Sequence, residues 1–185
     1  MRRAGREDID VVLAMHAEAS EWLSSKGKDQ WQPDAVGKKT KDRVRKSIEK
    51  TVTDKTCWLA YINNEVVGTI TVDSSADPEF WVEADDPADA VYVHRMIVRR
   101  EDSGQRIGKV LLALADQLAR NAGRHWVRLD AWSTNEQLHK YYERMGFGNF
   151  RTLRCSHRGS GALFQRAVPE LALNATFRTA ESLNW

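Results

Sequence analysis

The sequence predicts an α/β protein in which a mixed β-sheet carries helices on both faces. Its 185 residues are enough for one domain whose core needs no disulfide or metal. Hydrophobic residues make up 42% of the chain and charged residues 29%, as in ordinary globular proteins. Segments with the helical period alternate with short β-branched segments, and a strand–helix–strand run beside a hairpin implies both parallel and antiparallel strand pairs.

Two helices and a hairpin are predicted in the first part of the chain. Apolar residues recur at helical spacing over 9–23, and this helix should end near Gly27. A second, strongly basic helix is expected at 40–50. The segments 56–62 and 66–72 are rich in β-branched and aromatic residues, and Asn63 and Asn64 between them can adopt the positive φ angles of a tight turn.

The remaining elements follow a loop. Residues 73–90 include seven acidic residues and no basic one, which predicts a loop without a regular period. We then expect a strand at 91–98, an amphipathic helix at 107–122, a strand at 126–132, a helix at 134–145 that ends at Gly146, and strands at 149–155 and 162–168. One domain should therefore span residues 1–168, with an irregular tail at 169–185.

Charge and composition exclude several classes of protein. The chain has 28 basic and 26 acidic residues, for a net charge of +2, and no apolar run approaches the ~18 residues of a membrane span. Its first residues carry too much charge for a signal peptide, so we expect a cytoplasmic protein with no membrane association. Cys57 and Cys155 are far apart and match no ligand spacing, so we expect no metal site.

The loop from Ser103 to Lys109 has the features of an anion-binding site. It joins the strand at 91–98 directly to a helix, whose first N–H groups have no intrahelical partner and whose dipole favours negative charge. Gly104 and Gly108 allow a ligand to approach the backbone closely. Basic side chains surround the loop: Arg99, Arg100, Arg106 and Lys109. These residues alone fit either a diphosphate site or a solvated loop.

A second motif occupies the predicted helix at 134–145. Asn135 and Tyr142 lie two helical turns apart on one face, and Gly146 and Phe147 follow. With the loop, this segment resembles the GNAT superfamily of acyl-CoA-dependent N-acyltransferases, in element order over about residues 3–168 and in specific motifs over 92–147. The resemblance implies a mostly antiparallel central sheet of six to seven strands, with a V-shaped splay between the two central strands.

The resemblance also implies an acetyl-CoA or other acyl-CoA co-substrate. In that family the pantetheine arm lies in the splay, so the backbone of Met96, Ile97 and Val98 would pair with it. Asn135 matches an asparagine that commonly bonds the cofactor. The pyrophosphate would be held by the loop and its flanking arginine: Arg99, Gly104, Gln105, Arg106, Ile107, Gly108 and Lys109. Two loop positions depart from the family pattern, since Ser103 replaces Gln or Arg and Arg106 replaces glycine.

Two residues are predicted to move protons. Tyr142 matches the tyrosine beside the thioester sulfur, and its phenol, which is protonated at neutral pH, suits donation to a departing thiolate. His94 lies where several relatives carry a carboxylate, and its near-neutral pKa suits it as the base. A purely structural His94, a base role for Asp130 or Glu136, and an ordered water chain are the alternatives.

The acceptor site is predicted from polar and aromatic residues in the segments that vary among relatives: Gln30, Trp31, Trp81, Tyr92 and Trp132. Strand alternation would place Tyr92 on the same face as His94 and Met96. The acidic segment at 73–90 could attract a cationic amine to this end of the cleft.

Three functions stay open from the sequence. The first is transfer of an acetyl or other acyl group from coenzyme A to an amine of a small molecule. The second is an aminoacyl-tRNA-using acyltransferase of the same fold, because one basic run could hold tRNA: Lys38, Lys39, Lys41, Arg43, Arg45 and Lys46. The third is a non-catalytic CoA-binding regulatory module. Both a monomer and a homodimer are compatible with the sequence.

Overall fold

The computed structural model describes residues 1–32 and 41–169. Within these ranges the strands are β1 (Arg2–Arg3), β2 (Cys57–Ile62), β3 (Glu65–Asp73), β4 (Ala90–Val98), β5 (Trp126–Trp132), β6 (Gly148–Thr152) and β7 (Ser160–Ala167). The α-helices are α1 (Ile9–Ser25), α2 (Lys41–Thr53), α3 (Ile107–Asn121) and α4 (Glu136–Arg144). Short 3-10 turns lie before α1, in the acidic segment and before α3.

The strands form one sheet in the order β1-β2-β3-β4-β5-β7-β6. All neighbours are antiparallel except β4 and β5, which run parallel. This parallel pair extends only from Ala90 opposite Trp126 to Val93 opposite Leu129. Beyond that point, within the described residues, β4 pairs only with β3 and β5 only with β7, so the two central strands separate. The predicted mixed, mostly antiparallel sheet with a central splay is confirmed.

Helices cover both faces of the sheet. On one face, Leu111 and Ala115 of α3 pack with Tyr142 of α4 against strand residues such as Val93 and Leu129. On the other face, an apolar cluster joins α1 and α2 to β2: Val12, Ile48, Val52, Cys57 and Leu59. Because helices lie above and below, six consecutive residues of β3 are buried.

Most predicted elements lie within a few residues of their expected bounds. The hairpin turns at Asn63 and Asn64, whose φ angles are 49° and 64°. Gly146, with a φ of 83°, ends α4 and donates its N–H to the Glu143 carbonyl at 2.9 Å. The two-residue strand β1 was not predicted, because so short a segment has no readable period. Residue 40 and the tail beyond residue 169 lie outside the described ranges.

The predicted alternation along β4 is wrong. Arg95 has a φ of 44°, and the pairing of β4 with β3 shifts register there, which marks a β-bulge. The extra residue reverses the alternation, so Met96 and Val98 pack against the core on the α3 side rather than sharing a face with His94. The guanidinium of Arg95 lies against α2 on the other face, where it donates to Ser47 Oγ at 2.7 Å.

Candidate active site

A cleft of about 1150 Å³ opens where β4 and β5 separate. Met96, Ile97 and Val98 of β4 line it together with the end of β5, at Asp130 to Trp132. Residues of α1 and α2 form one wall, while the start of α3 and one face of α4 form the other. The two motifs found in the sequence, the loop and the α4 helix, therefore face the same cavity.

The start of α3 forms an anion cradle at the edge of this cleft. Since α3 begins at Ile107, the N–H groups of Ile107 and Gly108 have no backbone partner in the described part of the chain. Arg106 is the residue that caps the helix, and it holds a left-handed conformation with a φ of 62°. A Cβ on Gly108 would overlap the Tyr141 hydroxyl, so only glycine fits beneath that ring. The helix dipole adds partial positive charge.

Basic side chains line the same part of the cleft: Arg100, Arg106, Lys109 and Arg144. The side chains of Arg99 and Gln105, both predicted to bind the cofactor, are directed elsewhere. The buried carboxylate of Asp102 accepts hydrogen bonds from Arg99 Nε at 2.5 Å and from Gln105 Nε2 at 3.1 Å. Arg99 also pairs with Glu65 at 3.0 Å. These two side chains brace the loop, which leaves their backbone atoms as candidates for cofactor contact.

Asn135 is buried at the start of α4. Its Oδ1 accepts from the Leu138 N–H at 3.2 Å, and its Nδ2 donates to Gln30 Oε1 at 2.7 Å. The side chain therefore caps α4 and links it to the segment after α1. Both Asn135 and Gln30 line the cleft, and their contacts with cofactor and acceptor stay predictions.

Tyr142, His94 and Asp130 bring three ionisable groups to the cleft. His94 Nε2 lies 3.4 Å from Asp73 Oδ1. Burial alone would lower the pKa of His94, but the hydrogen bond and charge of Asp73 and the charge of Asp130 outweigh burial and raise it. Burial raises the pKa of Tyr142, and the neighbouring Tyr141 and Asp130 raise it further. The Tyr142 hydroxyl is therefore protonated at neutral pH.

Aromatic side chains line the wall formed by α1 and the following segment. Trp31 and Trp132 both line the cleft, and Trp31 stacks on His16 with ring centroids 4.7 Å apart. Trp22 lines it too, with the guanidinium of Arg100 3.8 Å from its ring centre. These rings add apolar surface to the cleft that the ionisable groups also line. Contact of Trp31 and Trp132 with an acceptor stays a prediction.

Trp81 and Tyr92 do not reach the cleft. Both are buried in a separate apolar cluster beneath the acidic segment, with their ring centroids 5.9 Å apart. The guanidinium of Arg128 lies 4.7 Å from the Trp81 ring, and the Tyr92 hydroxyl donates to the Pro87 carbonyl at 2.9 Å. Because the acidic segment folds back onto the sheet, it buries both rings, and we withdraw them from the acceptor site.

Ion pairs within the protein neutralise most of the acidic segment. Arginine and histidine side chains each bind its carboxylates: Arg158 with Asp77 and Glu79, Arg151 with Asp85, and His125 with Asp89. Only Asp73 and Asp77 of the segment line the cleft. The segment therefore offers less free negative charge to a cationic amine than its sequence predicts.

The described residues also bear on metal sites, membrane-spanning helices and the basic run proposed to hold tRNA. Over residues 1–32 and 41–169, no cluster of His, Cys, Asp or Glu could hold a metal ion. No helix in these ranges has the length and apolar character needed to cross a membrane. In the basic run, Lys38 and Lys39 lie outside the described residues, and Arg45 is paired with Asp10 at 2.8 Å.

Several cleft residues were not predicted as site residues: Trp22, Ser47, Asp73, Arg95 and Tyr141. Tyr141 could have been found, because it continues the stripe of Leu138, Tyr142 and Met145 at helical spacing. Ser47 and Asp73 come from elements distant in sequence, and no local motif marks them.

Known proteins resemble this chain in sequence and in fold. The family model for the acetyltransferase (GNAT) family matches residues 16–147. The uncharacterized N-acetyltransferase YesJ of Bacillus subtilis (strain 168) is 30% identical over 144 residues, which cover 76% of this chain and 77% of YesJ. A GNAT-family acetyltransferase from Listeria monocytogenes 4b F2365 has a TM-score of 0.69 at 22% identity, covering 90% of this chain and 92% of that one. The paia N-acetyltransferase from Thermoplasma acidophilum, in complex with coenzyme A, has a TM-score of 0.63 at 17% identity, covering 90% and 96%.

Proposed function

The chain belongs to the GNAT acetyltransferase family and is an N-acetyltransferase, and we propose that it transfers the acetyl group of acetyl-CoA to an amine of a small-molecule acceptor. The observation that carries this proposal is the convergence of an anion cradle, a buried tyrosine and a histidine–aspartate pair on one cleft. We propose direct attack by the amine while donor and acceptor are both bound.

The cradle and the splayed strand suit coenzyme A. The N–H groups of Ile107 and Gly108, which have no backbone partner within residues 1–32 and 41–169, would bind its pyrophosphate together with Arg106 and Lys109. Among the residues that the structure describes, none pairs as a strand with β4 at 96–98 on the β5 side, so the backbone there could pair with an extended arm as it would with a strand. When bound, acetyl-CoA would supply a thioester carbonyl that is open to attack by nitrogen.

His94 is proposed to remove a proton from the acceptor. An amine must lose a proton before its nitrogen can attack, and a base works best when its pKa lies near the working pH. Asp73, at 3.4 Å, orients the imidazole and stabilises its protonated form. Asp130, whose charge raises the pKa of His94, lines the same cleft, and its carboxylate would attract the incoming ammonium group.

Tyr142 is proposed to protonate the leaving thiolate. Its raised pKa keeps the hydroxyl protonated until the sulfur needs it. In the complete reaction a C–N bond forms and the C–S bond breaks. Of the two protons that an ammonium acceptor loses, one passes to His94 and on to water, and the other replaces the proton that Tyr142 gives to sulfur.

This proposal accounts for the site better than either alternative. A non-catalytic CoA sensor would have no need of a buried phenol and a paired histidine on the same cleft. The tRNA-using alternative rests on the basic run alone, and Arg45 of that run is already paired with Asp10. We therefore do not carry either alternative further.

The test removes one oxygen atom from Tyr142. We would incubate the protein with acetyl-CoA and a broad panel of amines, and follow thiol release and product mass. In Tyr142→Phe we expect kcat to fall by about 10²–10⁴, the usual contribution of a general acid, with CoA affinity retained. Tyr61→Phe is the matched control, because Tyr61 packs in the α1–α2 cluster, away from the cleft.

The outcomes separate the functions. A loss of kcat in Tyr142→Phe, absent in Tyr61→Phe, supports the proposed role. Equal turnover in Tyr142→Phe and the wild-type protein would contradict the acid role of Tyr142. If no amine in the panel releases thiol from acetyl-CoA, the small-molecule reading fails.

A further inference from the structure

Arg95 carries a charge that the proposed mechanism does not use. The residue is partly buried and lines the cleft, and its guanidinium donates to Ser47 Oγ at 2.7 Å. No carboxylate in the described ranges forms an ion pair with it, and burial lowers its pKa. A guanidinium has N–H donors on all three nitrogens, so most of the donors of Arg95 have no partner shown among the described residues.

Two other partly buried arginines of this protein are neutralised by carboxylates. Arg158 binds Asp77 and Glu79, and Arg166 binds Asp116 at 2.6 Å. A charge held away from water without a counter-charge is costly. Arg95 is also held on a bulge at a φ of 44°, a conformation that non-glycine residues rarely adopt. The fold thus maintains an unpaired cation in the cleft wall at a cost.

The position of Arg95 separates it from the donor cradle. Its guanidinium contacts α2, on the face of the sheet opposite α3, where the cradle lies. Arg95 is instead close to the proposed base, because its charge lowers the pKa of His94. On the same cleft, the carboxylate of Asp130 raises the pKa of both His94 and Tyr142. A positive and a negative group are therefore both within electrostatic reach of His94.

We propose that the acceptor is zwitterionic, with an oxyanion that binds Arg95 and Ser47 and an amine that lies at His94 and Asp130. This inference rests on the proposed function and names its substrate class. The planar guanidinium matches the two oxygens of a carboxylate, and it also binds phosphate. The bulge at Arg95 removes the usual alternation and places its side chain on the same face of the sheet as that of His94. The amine and the oxyanion of the acceptor would then be a few bonds apart, as in an amino acid or an aminoalkyl phosphate.

The experiment compares acceptors that differ only in the oxyanion. Each amino acid of a panel is paired with the amine that lacks its carboxylate, and ethanolamine phosphate is paired with ethanolamine. We expect kcat/KM to be roughly 10–100 times higher for the member with the oxyanion, the range expected for hydrogen bonds to a charged group. The carboxylate and phosphate pairs show which oxyanion the site takes.

Variants then assign the preference to Arg95. In Arg95→Gln the advantage of the oxyanion should disappear, so that kcat/KM becomes about equal for the two members of each pair. The two members are compared within each variant at one pH, because loss of the Arg95 charge also changes the pKa of His94. Ser47→Ala, a milder change, should reduce the advantage of the oxyanion without removing it. This variant replaces Arg95→Gln as the test if Arg95→Gln does not fold. Arg45→Gln is the matched control, because Arg45 is an exposed arginine of α2 outside the cleft.

These experiments distinguish failure of the zwitterion inference from failure of the proposed function. If thiol is released with simple amines as efficiently as with their oxyanion partners, the zwitterion inference is wrong and the proposed function stands. If Arg95→Gln lowers kcat/KM equally for both members of each pair, Arg95 has a structural role only. If no acceptor of any kind is acetylated, it is the proposed function that fails.

Discussion

Replacing Arg106 by glycine should stabilise this protein while weakening its hold on coenzyme A. Arg106 is exposed, has φ 62° and ψ 16°, and makes no capping hydrogen bond through its side chain. The left-handed conformation costs an L-residue about 1–2 kcal/mol. Glycine relieves this strain, but its greater freedom in the unfolded chain offsets roughly 0.5–1 kcal/mol of the stabilisation. We therefore expect Arg106→Gly to raise the free energy of unfolding by about 0.5–1 kcal/mol.

Thermal and urea unfolding without ligand measure this gain. A change of this size corresponds to a Tm increase of roughly 1–4 °C in a protein of this length. Arg106→Ala is the first control, because it removes the guanidinium but keeps the Cβ that causes the strain. Gln105→Gly is the second control, because Gln105 is not among the residues with positive φ and should lose stability.

Coenzyme A binding provides an independent readout. Arg106→Gly and Arg106→Ala lose the same charge, so each should bind coenzyme A more weakly by up to about fivefold, as expected for one exposed ion pair. That loss should shrink as salt concentration rises. The strain argument is refuted if Arg106→Ala gains as much stability as Arg106→Gly, or if Arg106→Gly is less stable than the wild-type protein.

Three further predictions concern the reacting groups and the cradle. Because Asp73 raises the pKa of His94, Asp73→Asn should move the acidic limb of the kcat/KM profile to lower pH; a limb that stays in place would exclude His94 as the base. The Asp73–His94 pair should stabilise the fold most between about pH 4 and 6.5, where the carboxylate and the imidazolium are both charged. This contribution should vanish as pH rises through the raised pKa of His94. Unfolding of Asp73→Asn and of the wild-type protein, compared across that range, measures it. Gly108→Ala should lower the free energy of unfolding by about 1–3 kcal/mol, because its Cβ overlaps the Tyr141 hydroxyl. In a Tyr141→Phe background the nearest remaining ring carbon is 3.3 Å away, so most of the loss should disappear, and equal losses in both backgrounds would contradict the overlap.

The elements that could be predicted are those whose signal is local. The paired asparagines at Asn63 and Asn64 marked the hairpin turn, and the loop that ends at Lys109 marked the start of α3. In both, a short run of residues is sufficient to set the backbone. The spacing of Asn135 and Tyr142 correctly placed both residues on the cleft.

The features that could not be predicted depend on tertiary register. Nothing in the β-branched run of β4 marks a bulge at Arg95, because the shift arises from pairing with β3. The contact between His94 and Asp73 follows from that same register. Trp81 lay in a polar, aperiodic segment, and only the packing of that segment on the sheet shows that its ring is buried.

The separation of β4 and β5 leaves an unpaired strand edge inside the protein. At the outside of a sheet such an edge invites other chains to pair with it and to aggregate. Here it lies along a cleft that is also lined by residues of four helices, so it is not at the outside of the sheet. A thin, flexible chain can still reach it. An unpaired strand edge inside a cleft is thus open to pairing with a narrow, extended ligand and less exposed to other proteins than an edge at the outside of the sheet.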